Sequence, residues 1–229
     1  MGDDMVPVKR SDSGPPSRRD RARATRLRIT RAAYTLFCER GYGGTTMADI
    51  AEAAGVAVQT VYFTFHTKSD LLSSTYDMAV LGAGDPAPPQ MQPWYVAAVA
   101  EPRVARALRW VVEGAAEIER RVTPLDLAVR AAAESDPETA RVWDHHERMR
   151  SEGYREIIDL LRGKSELRRG LTPERATDLL LLYVGPAVYR SLVMDRAWAH
   201  AEWVDWTIAT VLEQIFGIRD DASGIETPS

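Results

Sequence analysis

The sequence predicts an all-α fold, in which a small N-terminal three-helix domain is joined to a larger helical C-terminal domain. Along most of the chain, apolar residues recur three and four positions apart, which is the spacing of one face of an α-helix. No segment alternates between apolar and polar residues as a half-buried strand does. A stretch rich in proline and glycine, Leu81–Pro93, separates the two groups of helical segments.

Four helices are expected before this linker. The first has its apolar face at Ile29–Phe37 and ends at a glycine, which adopts a left-handed conformation without steric cost. Thr46 and Thr67 are each followed three residues later by aspartate, so we expect them to cap the second and fourth helices. The third helix is short and covers Val58–Phe65.

Five further helices are expected after the linker. Threonine or aspartate followed by proline opens three of them, because proline suits the first helical position after a cap. The expected elements are a stripe at Val104–Ile118, a short helix from Thr123 and Pro124, a long helix from Asp136 to Arg162, a helix from Thr172, and a last helix at Ala201–Phe216.

The composition excludes several classes of protein. Of the 229 residues 45% are hydrophobic and 27% are charged, and no apolar run approaches the roughly 20 residues that span a bilayer. The first ten residues, MGDDMVPVKR, lack the apolar core of a signal peptide. A single cysteine, Cys38, excludes a disulfide framework and a Cys-based metal site, and we expect it to be a small, partly buried residue. We therefore expect a cytoplasmic protein that does not interact with membranes.

Basic residues are concentrated near the N-terminus. Residues 1–68 contain 11 Lys and Arg against 7 Asp and Glu, whereas residues 69–229 contain 18 against 26. Seven arginines lie close together, at Arg18, Arg19, Arg21, Arg23, Arg26, Arg28 and Arg31. A basic end on an acidic body indicates that this end meets a polyanion, and a solvated charged helix face is the alternative. The tails at residues 1–17 and 219–229 have little to bury and are expected to be disordered.

The segment Thr46–Phe65 has the pattern of a helix-turn-helix, a unit that lays its second helix in the major groove of DNA. The longer segment Arg28–Leu72 resembles the DNA-binding domain of the TetR family of bacterial transcriptional regulators. The shared features are AA..LF..RGY, the TT before the second helix, IAEAAGV, TVY.F and K.DLL. This resemblance implies a DNA-binding domain at residues 18–68 and an effector-binding and dimerisation domain at residues 69–218.

The resemblance also implies which side chains meet double-stranded DNA. The expected contacts are Thr46, Val58, Gln59, Thr60, Tyr62, Phe63, Thr64 and Lys68. Gln59 can form two hydrogen bonds with an adenine edge, while apolar Val58 and Phe63 suit thymine methyls or sugars. Lys68, Thr60 and Tyr62 are expected at phosphates, with packing in the small core as the alternative for Tyr62. The arginines of residues 18–28 are expected to add an arm along the backbone or minor groove.

For the larger domain the resemblance implies a small-molecule effector, which we expect to be hydrophobic or aromatic. Ligand pockets are largely apolar and contain a few polar groups. The candidate effector contacts are Trp110, Trp143, His146, Met149 and Tyr183. Packing in the core is the alternative for the aromatic side chains, and for His146 it is a satisfied structural role.

The same domain is expected to form a homodimer. Residues 179–184 (LLLLYV) are apolar around the whole helix, and such a helix must be buried on both sides, by its own chain and by a partner. Burial wholly within one chain is the alternative. The expected interface comprises Leu181, Val184, Val188, Trp203, Val204 and Ile208. Pro186 predicts a kink or break in this helix.

Two other classes of function compare poorly with this interpretation. An enzyme is disfavoured because the sequence has no P-loop, no G-x-G-x-x-G or G-x-S-x-G motif and no metal-ligand spacing among its four histidines, so we expect neither a metal nor a cofactor. Acidic residues are interpreted as parts of solvated helix faces. A protein-interaction module would carry acidic residues on the third helix, and residues 56–67 have none. The sequence therefore predicts a homodimeric regulator, in the form of a ligand-released repressor that binds a palindromic operator.

Overall fold

The computed structural model describes residues 17–82 and 87–219, and within these ranges the chain is helical and contains no strand. The all-α prediction is confirmed. The described residues form ten α-helices: α1 (Arg18–Arg40), α2 (Met47–Ala54), α3 (Val58–Phe65), α4 (Lys68–Leu81), α5 (Pro93–Ala100), α6 (Val104–Ala133), α7 (Pro137–Arg162), α8 (Pro173–Val184), α9 (Pro186–Tyr189) and α10 (His200–Val211). Single π-type turns follow α9, at Arg190–Met194, and α10, at Leu212–Phe216. Within the described ranges no helix combines the length and apolarity needed to cross a membrane.

Three helices of the N-terminal part begin with the same reciprocal cap. Thr46 and Thr67 cap α2 and α4 as predicted, each paired with the aspartate three residues on. Ser17 forms the same arrangement with Asp20 at the start of α1. The assignment of Ser17 to a disordered tail is therefore wrong, because Ser17 caps a regular helix, and residues 18–28, predicted to act as an arm, form the start of that helix. Residues 1–16 and 220–229 of the expected tails lie outside the described residues.

The buried apolar residues form two clusters, and α6 contributes to both. The N-terminal cluster joins α1–α4 to the C-terminal half of α6, through Val122, Leu125 and Val129. The C-terminal cluster joins α5–α10 around the N-terminal half of α6. Cys38 lies half-buried at the edge of the first cluster, and burial raises the pKa of its thiol to about 11, so it remains protonated at neutral pH. Helix α6 therefore connects the two cores directly.

The expected short helix from Thr123 and Pro124 does not exist as a separate element. Pro124 lies inside the 30-residue helix α6, where its ring removes one backbone hydrogen bond. Thr123 and Leu125 on either side are completely buried, so tertiary packing holds the helix through the proline. Pro124 therefore does not end α6, because the packing of its neighbours keeps the helix continuous.

The other predicted boundaries in the C-terminal part agree with the structure. Asp136 caps α7, with its carboxylate accepting from the backbone amides of the first turn, and Thr172 caps α8. Helix α8 ends at Val184, and Pro186 starts α9, so the predicted break is confirmed. The π-type turn that continues α10 ends at Gly217, which has a φ of 69°.

Candidate nucleic-acid interface and ligand groove

The outward face of α3 is the candidate nucleic-acid interface. Val61 and Phe65 are 0% and 2% exposed and share a core with Ile50 of α2, so α3 keeps one face for the protein and presents the other to solvent. On the outward face Phe63 is 86% exposed and Tyr62 is 50% exposed. A phenylalanine gains free energy from burial, and Phe63 gains almost none in the free protein.

The remaining predicted contacts on α3 lie on or beside this face. Val58 and Gln59 are exposed, and Thr60 and Thr64 are half-buried. The Thr64 hydroxyl donates to the Thr60 carbonyl oxygen at 2.7 Å, so it is engaged within the helix. Tyr62 lies on the surface and does not pack in the small core.

Thr46 is already fully used by the cap that starts α2. Its Oγ1 accepts from the amide of Asp49 at 3.1 Å, and the Asp49 carboxylate accepts from the amide and hydroxyl of Thr46 at 2.8 Å and 2.7 Å. These hydrogen bonds lower the pKa of Asp49. A phosphate at this helix end would meet the remaining first-turn amides, those of Met47 and Ala48.

Lys68 faces the protein rather than solvent. Its ammonium donates to the Tyr42 carbonyl oxygen and lies 4.1 Å from the centroid of the Tyr42 ring. Burial lowers the pKa of Lys68, and the carboxylates of Asp136 and Asp49 act in the opposite direction. The neighbouring Ser69 hydroxyl donates to Glu138 at 3.0 Å, so the start of α4 is tied to the first turn of α7.

A groove with a volume of about 620 Å³ lies in the larger domain, between α6, α7 and the segment from α8 to the first π-turn. Ligand sites commonly fall in the range of about 300–1,000 Å³. Half of its lining residues are charged, namely Asp126, Arg130, Glu134, Glu147, Arg150, Arg190 and Asp195. Trp143 supplies an aromatic wall, and the Arg130 guanidinium lies 6.0 Å from its ring. The groove is thus more polar than a site for a purely hydrophobic effector.

A buried polar network connects this groove to α4. The Tyr76 hydroxyl of α4 donates to Asp126 Oδ1 at 2.7 Å, and the same oxygen accepts from Arg150 of α7 at 3.3 Å. Arg150 also pairs with Glu147 at 2.7 Å. Because Asp126, Glu147 and Arg150 line the groove, a ligand there would meet the groups that hold α4.

Burial and neighbouring charges together shift the pKa values in this network. It raises the pKa of the Glu119 carboxyl to about 7, although Arg150 and the hydroxyl of Thr123 oppose the shift. Burial alone would lower the pKa of Arg150, but three nearby carboxylates outweigh it and raise that pKa. His146 stacks on Tyr76 with ring centroids 4.3 Å apart, and burial, followed by His145 and Arg150, lowers its pKa to about 4.

The structure does not bring the five predicted effector contacts together. Trp143 lines the groove, whereas His146 is buried against Tyr76. Trp110 and Met149 are 44% and 53% exposed and lie outside the groove. Tyr183 is half-buried and meets the ring of Trp206. The five residues lie on three helices, α6, α7 and α8, and contact different neighbours, so they do not form a common site.

The residues expected at the dimer interface fall into two groups, those buried within their own chain and those that are half-buried. Val184 and Trp203 are completely buried within their own chain, so they have no surface for a partner and are removed from the predicted interface. Val204 and Ile208 are also buried within the chain, while Leu181 and Val188 are half-buried. The part of residues 179–184 that does face solvent is Leu182, which is 51% exposed.

Two acids on α6 are buried, contrary to the sequence-based interpretation. Glu119 and Asp126 are 3% and 6% exposed, so their interpretation as solvated surface residues is wrong. A signal is present in the sequence, because Glu119 follows Ala115 by four positions and Asp126 follows Glu119 by seven. Both acids therefore continue the stripe that buries Leu108, as the helical repeat requires.

Comparison with known proteins connects the N-terminal domain to one family. Residues 29–75 match the sequence profile of bacterial regulatory proteins of the tetR family. The HTH-type transcriptional regulator TtgR of Pseudomonas putida is 41% identical over 59 residues, which cover 26% of this chain and 28% of TtgR. The regulator AcrR of Shigella flexneri is 36% identical over 64 residues, which cover 28% of this chain and 30% of AcrR. The match thus spans less than a third of these relatives.

Solved structures extend the similarity of fold to nearly the whole chain. The fatty acid degradation regulator FadR from Bacillus halodurans has a TM-score of 0.67 at 19% identity and covers 89% of this chain and 97% of its own. NalD, the secondary repressor of the MexAB-OprM multidrug efflux pump in Pseudomonas aeruginosa, has a TM-score of 0.65 at 22% identity, with coverage of 87% and 99%. At these identities the comparison shows that the fold is shared.

Proposed function

We propose that this chain is a transcriptional regulator of the TetR type, the family that its N-terminal domain resembles, and that it binds a palindromic operator as a homodimer. The observation that carries the proposal is the outward face of α3. It presents Gln59, Tyr62 and Phe63 to solvent on a helix whose other face is fixed in the core. A helix-turn-helix reads DNA with a surface of this kind.

The side chains on this face divide by the kind of contact they can make. Gln59 can donate to and accept from an adenine edge, which discriminates against other bases by about 1–3 kcal/mol. Val58 and Phe63 are apolar and suit the methyl group of thymine. The hydroxyls of Thr60 and Tyr62 are proposed to donate to phosphates. The amides of the first turn of α2, which follows Thr46, are proposed to donate to a phosphate at that helix end. Thr64 is proposed to contact DNA through its methyl group, since its hydroxyl is engaged.

Dimerisation is proposed through the outer faces of α8 and α10. Leu182 on α8 is half-exposed, and beside it the half-buried rings of Tyr183 and Trp206 meet edge to face at 6.2 Å between centroids. An apolar patch of this kind suits an isologous contact, in which the same surface of each chain meets its copy. Two-fold symmetry would then place two copies of α3 about one helical turn apart, or somewhat more, on a palindromic site.

We further propose that an effector bound in the groove releases the regulator from DNA, so that it acts as a repressor. Asp126 and Arg150 line the groove, and Asp126 accepts hydrogen bonds both from Arg150 and from Tyr76 of α4, the helix that follows α3. A ligand that draws either group toward itself would favour a different position of α4 and shift the population away from the DNA-binding state. The proposed effector has an aromatic part for Trp143 and polar or charged groups for the remaining walls.

The experiment that tests this function is a footprint of the purified chain on the DNA immediately upstream of its own gene. It should be run at roughly physiological salt, where non-specific binding is weak. We expect protection of an inverted repeat and measure the spacing of its halves. Binding selection from random DNA covers an operator elsewhere in the genome. Failure to recover a specific site by both routes would overturn the proposal and favour a protein-interaction module.

A further inference from the structure

Helix α1 begins well before the domain core. Its first completely buried residue is Ile29, yet the helix starts at Arg18. At about 1.5 Å per residue, the preceding residues 18–28 extend roughly 16 Å. Residues 17–24 are all exposed, so this part of α1 packs on nothing within the described residues.

The sequence explains why these residues are helical without a core to pack on. Ser17 and Asp20 form a complete capping box, in which the Asp20 carboxylate accepts from the amide and hydroxyl of Ser17 at 3.1 Å and 2.7 Å. Hydrogen bonds from Ser17 lower the pKa of Asp20, which keeps a negative charge at the positive end of the helix. Alanine and arginine are strong helix formers, and they make up most of residues 18–24.

Residues 18–25, the basic extension of α1, carry a high density of uncompensated positive charge. Six arginines in or next to it are exposed, and none has a carboxylate oxygen within 4.0 Å among the described residues: Arg18, Arg19, Arg21, Arg23, Arg28 and Arg31. A surface with this charge repels itself in the free protein, and an anionic partner relieves that repulsion.

The seventh arginine has a different role. The guanidinium of Arg26 donates to the Thr64 carbonyl oxygen at 3.3 Å and to the Ser74 hydroxyl at 2.8 Å. It also lies 4.3 Å from the centroid of the Phe65 ring. Arg26 therefore fixes the base of the extension to the C-terminal end of α3, the helix proposed to read bases.

We propose that residues 18–25, the basic extension of α1, bind the phosphates of DNA that flanks the half-site read by α3. This inference rests on the proposed function and adds a second DNA-contacting surface to it. The basic extension ends next to Arg26, which contacts the C-terminal end of α3, and its charge complements the phosphate backbone. A helix about 10 Å wide does not enter a minor groove about 6 Å wide, so the contact is with phosphates and is independent of sequence.

The test crosses a change in the protein with a change in the DNA. The variant replaces Arg18, Arg19, Arg21 and Arg23 by glutamine, which removes four charges and keeps good helix formers. The control replaces four exposed arginines elsewhere by glutamine, at Arg106, Arg148, Arg155 and Arg169. Each protein is titrated with the footprinted operator carrying about 10 base pairs of flanking duplex on each side, and with the same operator trimmed to its half-site ends.

We expect trimming to weaken the unmodified protein and the control at least tenfold and to leave the variant unchanged. We also expect the slope of log affinity against log salt to fall by up to about 3.6 per chain in the variant, at about 0.9 for each phosphate that is no longer neutralised. The ratio of affinities for the operator and a scrambled core should stay the same, because these contacts carry no sequence information.

Two outcomes would overturn the inference: equal losses for the variant on flanked and trimmed DNA, or an equal loss for the control. A third protein, Ala22→Pro, keeps every charge but breaks the helix inside the extension. It should lose most of the dependence on flanking DNA, and full retention would contradict a role for the rigid helix.

If the unmodified protein binds no specific operator at all, the proposed function fails. If it binds specifically but trimming has no effect, the basic extension alone is misassigned.

Discussion

Helix α3 and the groove between α6 and α7 differ in how far their structure follows from local sequence. In α3 the roles of the side chains follow from position in one short segment, because a period of 3.6 residues sends Val61 and Phe65 inward and Phe63 outward. The groove instead is lined by residues of α6, of α7 and of the segment from α8 to the first π-turn. These residues lie up to about seventy positions apart in the sequence. A local surface can be derived from local spacing, whereas an assembled site depends on how long helices pack.

The largest effect should come from the centre of the assembled site. Replacing Arg150 by alanine leaves Asp126, Glu119 and Glu147 without their buried counter-charge, since the Arg150 side chain is only 15% exposed. Breaking a buried ion pair from one side costs about 3–5 kcal/mol. We expect urea denaturation to show a loss of this size, with Arg148→Ala as an exposed control on the same helix. A loss under about 1 kcal/mol for Arg150→Ala, the range of an exposed pair, would mean that the network does not hold these helices together.

The matched pair on α3 should show two opposite phenotypes. Phe65→Ala removes a buried ring from the N-terminal core and should cost about 3–5 kcal/mol of stability. Phe63→Ala removes a ring that is 86% exposed, so the free energy of unfolding should change by less than about 0.5 kcal/mol. Operator affinity should nevertheless fall for Phe63→Ala, measured by titration with the footprinted DNA. Unchanged affinity would remove Phe63 from the proposed interface.

Only part of the fold follows from the sequence alone. The helices of the N-terminal domain and the outward face of α3 could be predicted, because caps and spacing act within a few residues of one another. Pro124 and Ser17 show the first limit, since packing carries α6 through a proline and a cap extends α1 beyond its apolar stripe. Glu119 and Asp126 show the second limit. Their place in the apolar stripe of α6 indicates that they are buried, but no local pattern indicates that Arg150 on α7 is their counter-charge.

The pH dependence of stability should report Glu119 directly. Its pKa is about 7 in the folded protein and about 4.5 when unfolded, so the folded state binds the proton more tightly. The resulting stabilisation is complete below about pH 4.5 and is lost as the pH rises through about 7, by about 3 kcal/mol at most. Glu119→Gln should remove this dependence. The difference in unfolding free energy between the two proteins should therefore grow in favour of the variant from about pH 5 to about pH 8.

His146 supplies an internal check on that measurement. Its pKa is lowered to about 4 in the folded protein, so its contribution is present above its unfolded pKa of about 6.5 and is lost as the pH falls. This slope has the opposite sign and is common to both proteins, so it cancels in their difference. A difference that is flat between about pH 5 and about pH 8 would show that Glu119 is ionised in the folded state.

The smallest effects are expected from the removal of single contacts with DNA. Gln59→Ala should weaken operator binding by about 1–3 kcal/mol and relax the preference at one position, while leaving random DNA unaffected. Lys68→Ala is the matched contrast, because removing a phosphate contact weakens binding to all sequences alike and lowers the salt slope. The ammonium of Lys68 is held by Tyr42 in the free protein, so part of its phosphate contact offsets the loss of that interaction, and its effect should be the weaker of the two. Equal losses on operator and random DNA for Gln59→Ala would show that base reading on α3 depends on other side chains, with apolar Phe63 and Val58 as the remaining candidates.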